Sequence, residues 1–131
     1  MKPTIVSDID DTITMTNFPT PWMAPNPCMQ QYLTQAHQQG SPIFYVTARP
    51  TDLYGMTLGW LRKHQFPDTD HLFIGVLPEA PRWEKLKELC QHKTCIFIDN
   101  NLHTLAYANT HIKEIPRIKI LNPNQCPIFN K

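Results

Sequence analysis

No run in the 131 residues approaches the roughly 20 apolar positions of a membrane-spanning helix. The opening MKPTIVSDID also turns acidic where a secretory leader would continue apolar. These two absences give the expectation of a cytoplasmic location with no membrane span. A charge excess is missing as well: 12 Lys plus Arg stand against 11 Asp plus Glu, so no global field draws the chain along nucleic acid or onto an anionic surface. Any anionic partner must be recognised locally. The four cysteines, at 28, 90, 95 and 126, include no CxxC pair, and a chain of this size does not need stapling, so they are expected to be buried or idle thiols. Cys90, His92 and Cys95 fit no standard zinc spacing and lack a second half-site. Internal repeats and long disordered tracts are absent too, and the length suits one domain over residues 1–131.

What the chain does contain is five short apolar, β-rich runs: PTIVSD, PIFYVT, HLFIGV, TCIFID and RIKIL. Helical periodicity fills the intervals at 27–39, 51–65, 81–91 and 101–110, with Gly40 placed to stop the first helix. Strands that alternate with helices, and are apolar throughout rather than at every second residue, predict a parallel sheet covered on both faces. The expected fold is α/β: a small, doubly wound (Rossmann-like), five-stranded parallel sheet. Prolines at 19, 21, 25 and 27 make NFPTPWMAPNPC a stiff loop between the first strand and the first helix. Phe18, Trp22 and Met23 in that loop either touch substrate or pack the loop onto the core.

Polar chemistry gathers where three strands end. The first runs into Asp8, Asp10 and Asp11; the second ends in Thr47 and Arg49; the fourth ends in Asp99. In an extended segment Asp8 and Asp10 project to the same side, and two such carboxylates must share a proton or hold a cation. Doubly wound sheets bind ligands outside the carboxyl ends of their strands, where the strand order reverses. Convergence of the three clusters requires the order 3-2-1-4-5, with the switch between strands one and four. Asp8, Asp10 and Asp99 then surround an oxygen-rich pocket suited to magnesium before zinc or calcium. The remaining histidines, 37, 64, 71, 103 and 111, share no ligand spacing.

In these residues the chain resembles the haloacid dehalogenase (HAD) superfamily. SDIDDTIT is similar to its first motif, FYVTARP to its second, RWEKLKEL to its third and IFIDN to its fourth. The resemblance implies that Asp8 is the nucleophile that forms an aspartyl-phosphate, and that Asp10 is the acid and then the base. It also implies that Asp8, the Asp10 main-chain carbonyl and Asp99 hold Mg2+, and that Thr47 and a third-motif cation hold the phosphoryl group. Both Lys85 and Arg82 suit that cation; Lys85 is preferred, because lysine is the usual family choice and a compact donor for phosphate. Asp at position 10 points to a phosphatase within the superfamily. Asn100 and Asn101 stand where many relatives carry a second acid.

The interval between Asp11 and the second strand has room for the proline loop and one helix but no cap domain. An open site of this kind implies a phosphorylated substrate that is large or exposed: a nucleic-acid end, a phosphoprotein or a lipid headgroup. The motifs look most like those of the lipin and actin-patch phosphatidate phosphatases, while size and layout are similar to the phosphatase domain of polynucleotide kinase-phosphatases. Arg49 either binds a second phosphate or pairs with an acid near its strand end. Near-neutral charge argues against extended nucleic-acid tracking and leaves end recognition open. The competing readings are a binding domain that keeps the fold without turnover, and a phosphotransferase to an acceptor other than water.

Overall fold

The five apolar runs form one parallel sheet in a computed structural model that describes residues 2–15, 24–91 and 93–126. The strands are β1 (Thr4–Ser7), β2 (Ile43–Thr47), β3 (Leu72–Ile74), β4 (Cys95–Ile98) and β5 (Ile118–Leu121). Their order is β3-β2-β1-β4-β5, all pairs parallel, as expected. The helices are α1 (Pro27–Gln38), α2 (Tyr54–Lys63), α3 (Ala80–Leu89) and α4 (Leu102–Thr110). A short 3-10 turn, Thr51–Leu53, leads into α2. The expectations for Phe18, Trp22, Met23 and His92 lie outside the described residues.

Alternate strand residues feed two cores, which is what makes the sheet two-sided. Ile5, Ile43, Tyr45 and Ile98 pack with Met29 and Leu33 of α1 and Trp60 and Leu61 of α2. Val6, Val46 and Phe97 pack on the other face with Trp83 and Leu86 of α3 and Ala108 of α4. Each fully buried aliphatic or aromatic side chain of this kind stabilises the fold by about 1.5–3 kcal/mol relative to exposure. The first two crossovers lie on one face and the last two on the other, so the connection from β3 to β4 passes over β2 and β1. That reversal opens a crevice at the carboxyl ends of β1 and β4.

Local signals set the helix starts. Asn26 accepts the N–H groups of Cys28 and Met29 through its side chain, with Pro27 at the first helical position. Asn101 caps α4 in the same way through the N–H groups of His103 and Thr104. At the far end of α1, Gly40 takes φ of 102°, a conformation that costs glycine little, and the chain turns into β2. The proline loop leaves and returns through one short pairing: Met15 N–H donates to the Ala24 carbonyl at 2.9 Å and Asn26 N–H to the Ile13 carbonyl at 2.8 Å.

The expectation for the cysteines is half corrected. All four are buried, but none is a thiol: Cys28 is disulfide-bonded to Cys126 and Cys90 to Cys95. A partner 98 residues away is brought within reach only by the closed fold, which no spacing rule could foresee. The second bond staples the turn between α3 and β4.

Candidate functional site

The site is built from the turn that follows β1. The strand ends at Ser7, and the chain then folds so that the N–H groups of Thr12, Ile13 and Thr14 all point to the Ile9 carbonyl, at 3.0–3.3 Å. Asp11 sits at φ 59°, in the left-handed region that aspartate tolerates better than most residues, and its N–H donates to the Thr14 hydroxyl at 3.0 Å. Strand alternation is therefore not what brings Asp8 and Asp10 together, and that expectation is corrected: a tight turn does it, while Ile9 and Ile13 anchor the turn in the core, fully buried.

Asp8 is held at the base of the crevice. Its N–H donates to the Ile98 carbonyl at 2.9 Å, and its Oδ2 accepts the Thr12 hydroxyl at 3.2 Å. Its Oδ1 accepts Nη1 of Arg82 at 3.1 Å, and the same nitrogen donates to Asp99 Oδ2 at 2.8 Å. Asp99 is fully buried; its Oδ1 accepts the Asn101 N–H at 2.9 Å. One guanidinium thus faces two buried carboxylates. Burial first, and the charge of Asp99 second, push the Asp8 carboxyl up to about 8, against the opposing pull of Arg82. Asp99 is raised too, by burial, with Arg82 and two main-chain N–H groups working the other way.

The cation in the site is Arg82, which corrects the preference for Lys85. Arg82 is 2% exposed. Lys85 reaches Glu88 at 3.4 Å and lies 4.6 Å from the Phe73 ring centroid, on the flank of α3. The reason is axial. A helix that follows β3 starts at the carboxyl edge of the sheet and moves away from it by about 1.5 Å per residue. Arg82, the third residue of α3, is at the level of the crevice, while Lys85 is nearly a full turn deeper. Arg82 also donates from Nη2 to the Val76 carbonyl at 3.1 Å, and its buried Nε has no partner among the described residues.

Arg49 takes the second of its two expected roles. Its Nε lies 3.2 and 3.1 Å from the Asp10 carboxylate oxygens, its Nη2 2.7 Å from Oδ1, and its Nη1 donates to the Thr57 hydroxyl at 3.0 Å. At 5% exposure this guanidinium is committed to Asp10. Thr47, 1% exposed, accepts the Arg49 N–H at 3.2 Å through its hydroxyl and reaches the crevice wall. Thr57 had no signal in the sequence, because its contact with Arg49 depends on where the 3-10 turn sets the start of α2. Thr12 lies within SDIDDTIT, the stretch similar to the first motif, and could be found there.

Asp8, Asp10, Asp11, Thr47, Arg82 and Asn100 line one crevice of about 250 Å³. A second cleft of similar size, about 230 Å³ and lined by Cys90, Lys93 and Arg117 among others, lies at the opposite edge of the sheet and carries no carboxylate. The first has the character of a cation and phosphate site. Its carboxylates outnumber its guanidinium groups, since Arg49 is paired with Asp10 and Arg82 is shared between Asp8 and Asp99. The described residues contain no group of three or more His, Cys, Asp or Glu placed to hold a metal. The donor set that fits is two carboxylates with a main-chain carbonyl and waters, which suits a hard cation that keeps much of its hydration.

Residues 3–105 match the model of a family described as phosphatidate phosphatase APP1, catalytic domain. No curated protein matches the sequence. Among solved structures the chain is similar to one in the Pnkp1/Rnl/Hen1 complex, at a TM-score of 0.74 and 17% identity, over 93% of this chain and 46% of that one. It is also similar to the class C acid phosphatase from Bacillus anthracis with tungstate bound, at 0.62 and 17% identity, over 97% of this chain and 68% of that one. The structure of the class C acid phosphatase from Bacillus anthracis gives 0.61 and 19% identity, over 97% and 67%. The chain spans less than half the length of the first of these, and at such identities the likeness is one of fold.

Proposed function

The chain belongs to the family of the phosphatidate phosphatase APP1 catalytic domain, within the HAD superfamily; from that premise we propose that it is a phosphoric monoester hydrolase working through an aspartyl-phosphate on Asp8, with Mg2+ as its cofactor. The carrying observation is that Asp8 and Asp10, two residues apart, are set against different partners: Asp8 against Asp99 and Arg82, Asp10 against Arg49. Two carboxylates in different surroundings can take different protonation roles. In the metal-free fold burial favours the proton on Asp8, so the nucleophile's role assigned to it requires a bound cation to draw the negative charge onto that carboxylate.

In the first step an Asp8 oxygen attacks phosphorus, the bond from phosphorus to the ester oxygen breaks, and Asp10 delivers a proton to the departing oxygen. In the second step Asp10, now ionised, takes a proton from water as that water attacks the same phosphorus. Phosphate departs and the Asp8 carboxylate is restored. Arg49 holds Asp10 in place for both proton transfers. Arg82 and Thr47 face the equatorial oxygens as charge develops on them. Asp8, the Asp10 main-chain carbonyl and Asp99 would hold the metal, which when bound favours the ionised form of Asp8 and neutralises phosphoryl oxygens.

The family description favours a lipid phosphomonoester among the large or exposed substrates considered. The likeness to a chain of the Pnkp1/Rnl/Hen1 complex keeps a nucleic-acid end in the comparison. No helix among the described residues is long and apolar enough to cross a membrane, so a lipid substrate would be met at a surface. The expected cytoplasmic location carries a condition, since a reducing cytosol would keep the four cysteines as thiols. The test is phosphate release from an aryl phosphate by the wild-type chain, Asp8→Asn and Asp10→Asn, with magnesium and with chelator. Release that needs Asp8 and magnesium supports the reading, whereas equal release by Asp8→Asn overturns it.

A further inference from the structure

Exposed apolar residues scattered singly need no explanation. In this chain they are gathered. Of the six large apolar side chains that stand exposed among the described residues, five lie at the carboxyl edge of the sheet: Met15, Tyr54, Met56, Leu77 and Leu102. Three of them flank the catalytic crevice through their chain neighbours. Leu77, 59% exposed, precedes the crevice residue Pro78; Leu102, 77% exposed, follows Asn101; Met15, 58% exposed, closes the turn that carries Asp8, Asp10 and Asp11. Leu102 is also the first residue of α4, a position where no packing reason calls for leucine.

Charge is distributed in the opposite sense. Of the described residues at this edge, the only arginines are Arg49 and Arg82, both buried and bound to carboxylates, and there is no lysine. Asp52 and Glu79 stand exposed beside them. Exposed Lys2, Lys63, Lys93, Lys113 and Arg117 lie at the amino edge, on the far side of the sheet. A nucleic-acid end entering the crevice would bring further phosphates over a surface whose described residues offer no exposed lysine or arginine to receive them, and an acidic phosphopeptide would meet the same difficulty.

A phosphate presented by an extended surface would bring that surface over this rim while the phosphate is turned over. We propose that the carboxyl edge rests on a neutral or zwitterionic lipid surface, with Met15, Leu77 and Leu102 set into it while the crevice takes the phosphate of a lipid phosphomonoester. The proposal rests on the phosphatase reading and adds to it a docking face with a charge preference. Peripheral proteins that dock through basic patches gain from anionic lipid. This face, apolar and mildly acidic, should lose by it.

The experiment is flotation of the full chain with phosphatidylcholine vesicles, with or without a minority of phosphatidylserine, alongside aryl phosphate turnover. The wild-type chain is expected to float with phosphatidylcholine and to float less when phosphatidylserine is added, an effect that salt relieves. The double variant Leu77→Ser with Leu102→Ser removes apolar contact without adding charge; its partition should fall about tenfold or more while aryl phosphate turnover stays unchanged. Failure of the wild type to float, equal flotation of the variant, or stronger flotation on the anionic vesicles would each overturn the docking face. So would turnover of a 3′-phosphorylated oligonucleotide in preference to vesicle-borne phosphatidate. Flotation needs no catalysis, so a chain that floats as expected but releases no phosphate would fail the phosphatase reading and leave the surface standing.

Discussion

Replacing Asp8, the proposed nucleophile, should make the metal-free protein more stable. Asp8 is 8% exposed, shares one guanidinium with fully buried Asp99, and has its carboxyl pushed up to about 8 by burial and by that neighbouring charge. The folded chain therefore holds this proton more tightly than the unfolded chain, where an aspartate ionises near 3.8. Stability from this group is fully present in acid and is lost as pH rises from about 4 to about 8. At pH 7 the cost of keeping Asp8 in place is on the order of 2–4 kcal/mol. Asn has the shape of the protonated acid, and its carbonyl oxygen can still accept from Arg82, so Asp8→Asn removes the cost without opening a cavity. In a domain of this size the gain is a melting temperature higher by on the order of 10 °C. The assay is thermal melting of both chains in chelator from pH 4 to pH 8. The two curves should converge in acid and separate as pH rises, and magnesium should narrow the gap by binding the wild type. A variant that melts at or below the wild type at pH 8, or a gap of equal size at both ends of the range, would refute the argument.

Two further outcomes follow from the same geometry. Arg82→Leu leaves Asp8 and Asp99 buried with no counter-charge and should cost about 3–5 kcal/mol in metal-free denaturant melts, while Lys85→Ala, on the flank of α3, should stay within about 0.5 kcal/mol and leave aryl phosphate turnover intact. The Cys28–Cys126 bond closes a span of 98 residues, so Cys28→Ser with Cys126→Ser should cost about 2–5 kcal/mol. Reductant should lower the wild-type melting point by most of that amount, because the five-residue separation of Cys90 and Cys95 constrains the unfolded chain far less.

The sequence by itself determined the sheet, its strand order and the edge at which chemistry gathers. Apolar runs alternating with helical periodicity admit few arrangements, and requiring the three polar strand ends to meet leaves one. Asp8, Thr47 and Asp99 were legible for that reason: each ends or directly follows a strand, and strand ends are read from local pattern, whereas the turn that sets Asp10 beside Asp8 was not. Asn26 and Gly40 marked the bounds of α1 through capping chemistry that is local as well. Tertiary structure alone decided which cation serves the site, because Arg82 and Lys85 share one helix and differ in depth along its axis and in the direction they face. It decided that Arg49 spends its guanidinium on Asp10, that four cysteines pair, and that exposed apolar residues from separate loops share one rim. Each of these depends on contacts between residues far apart in the chain, and such contacts are set by packing, on which short-range spacing has no hold.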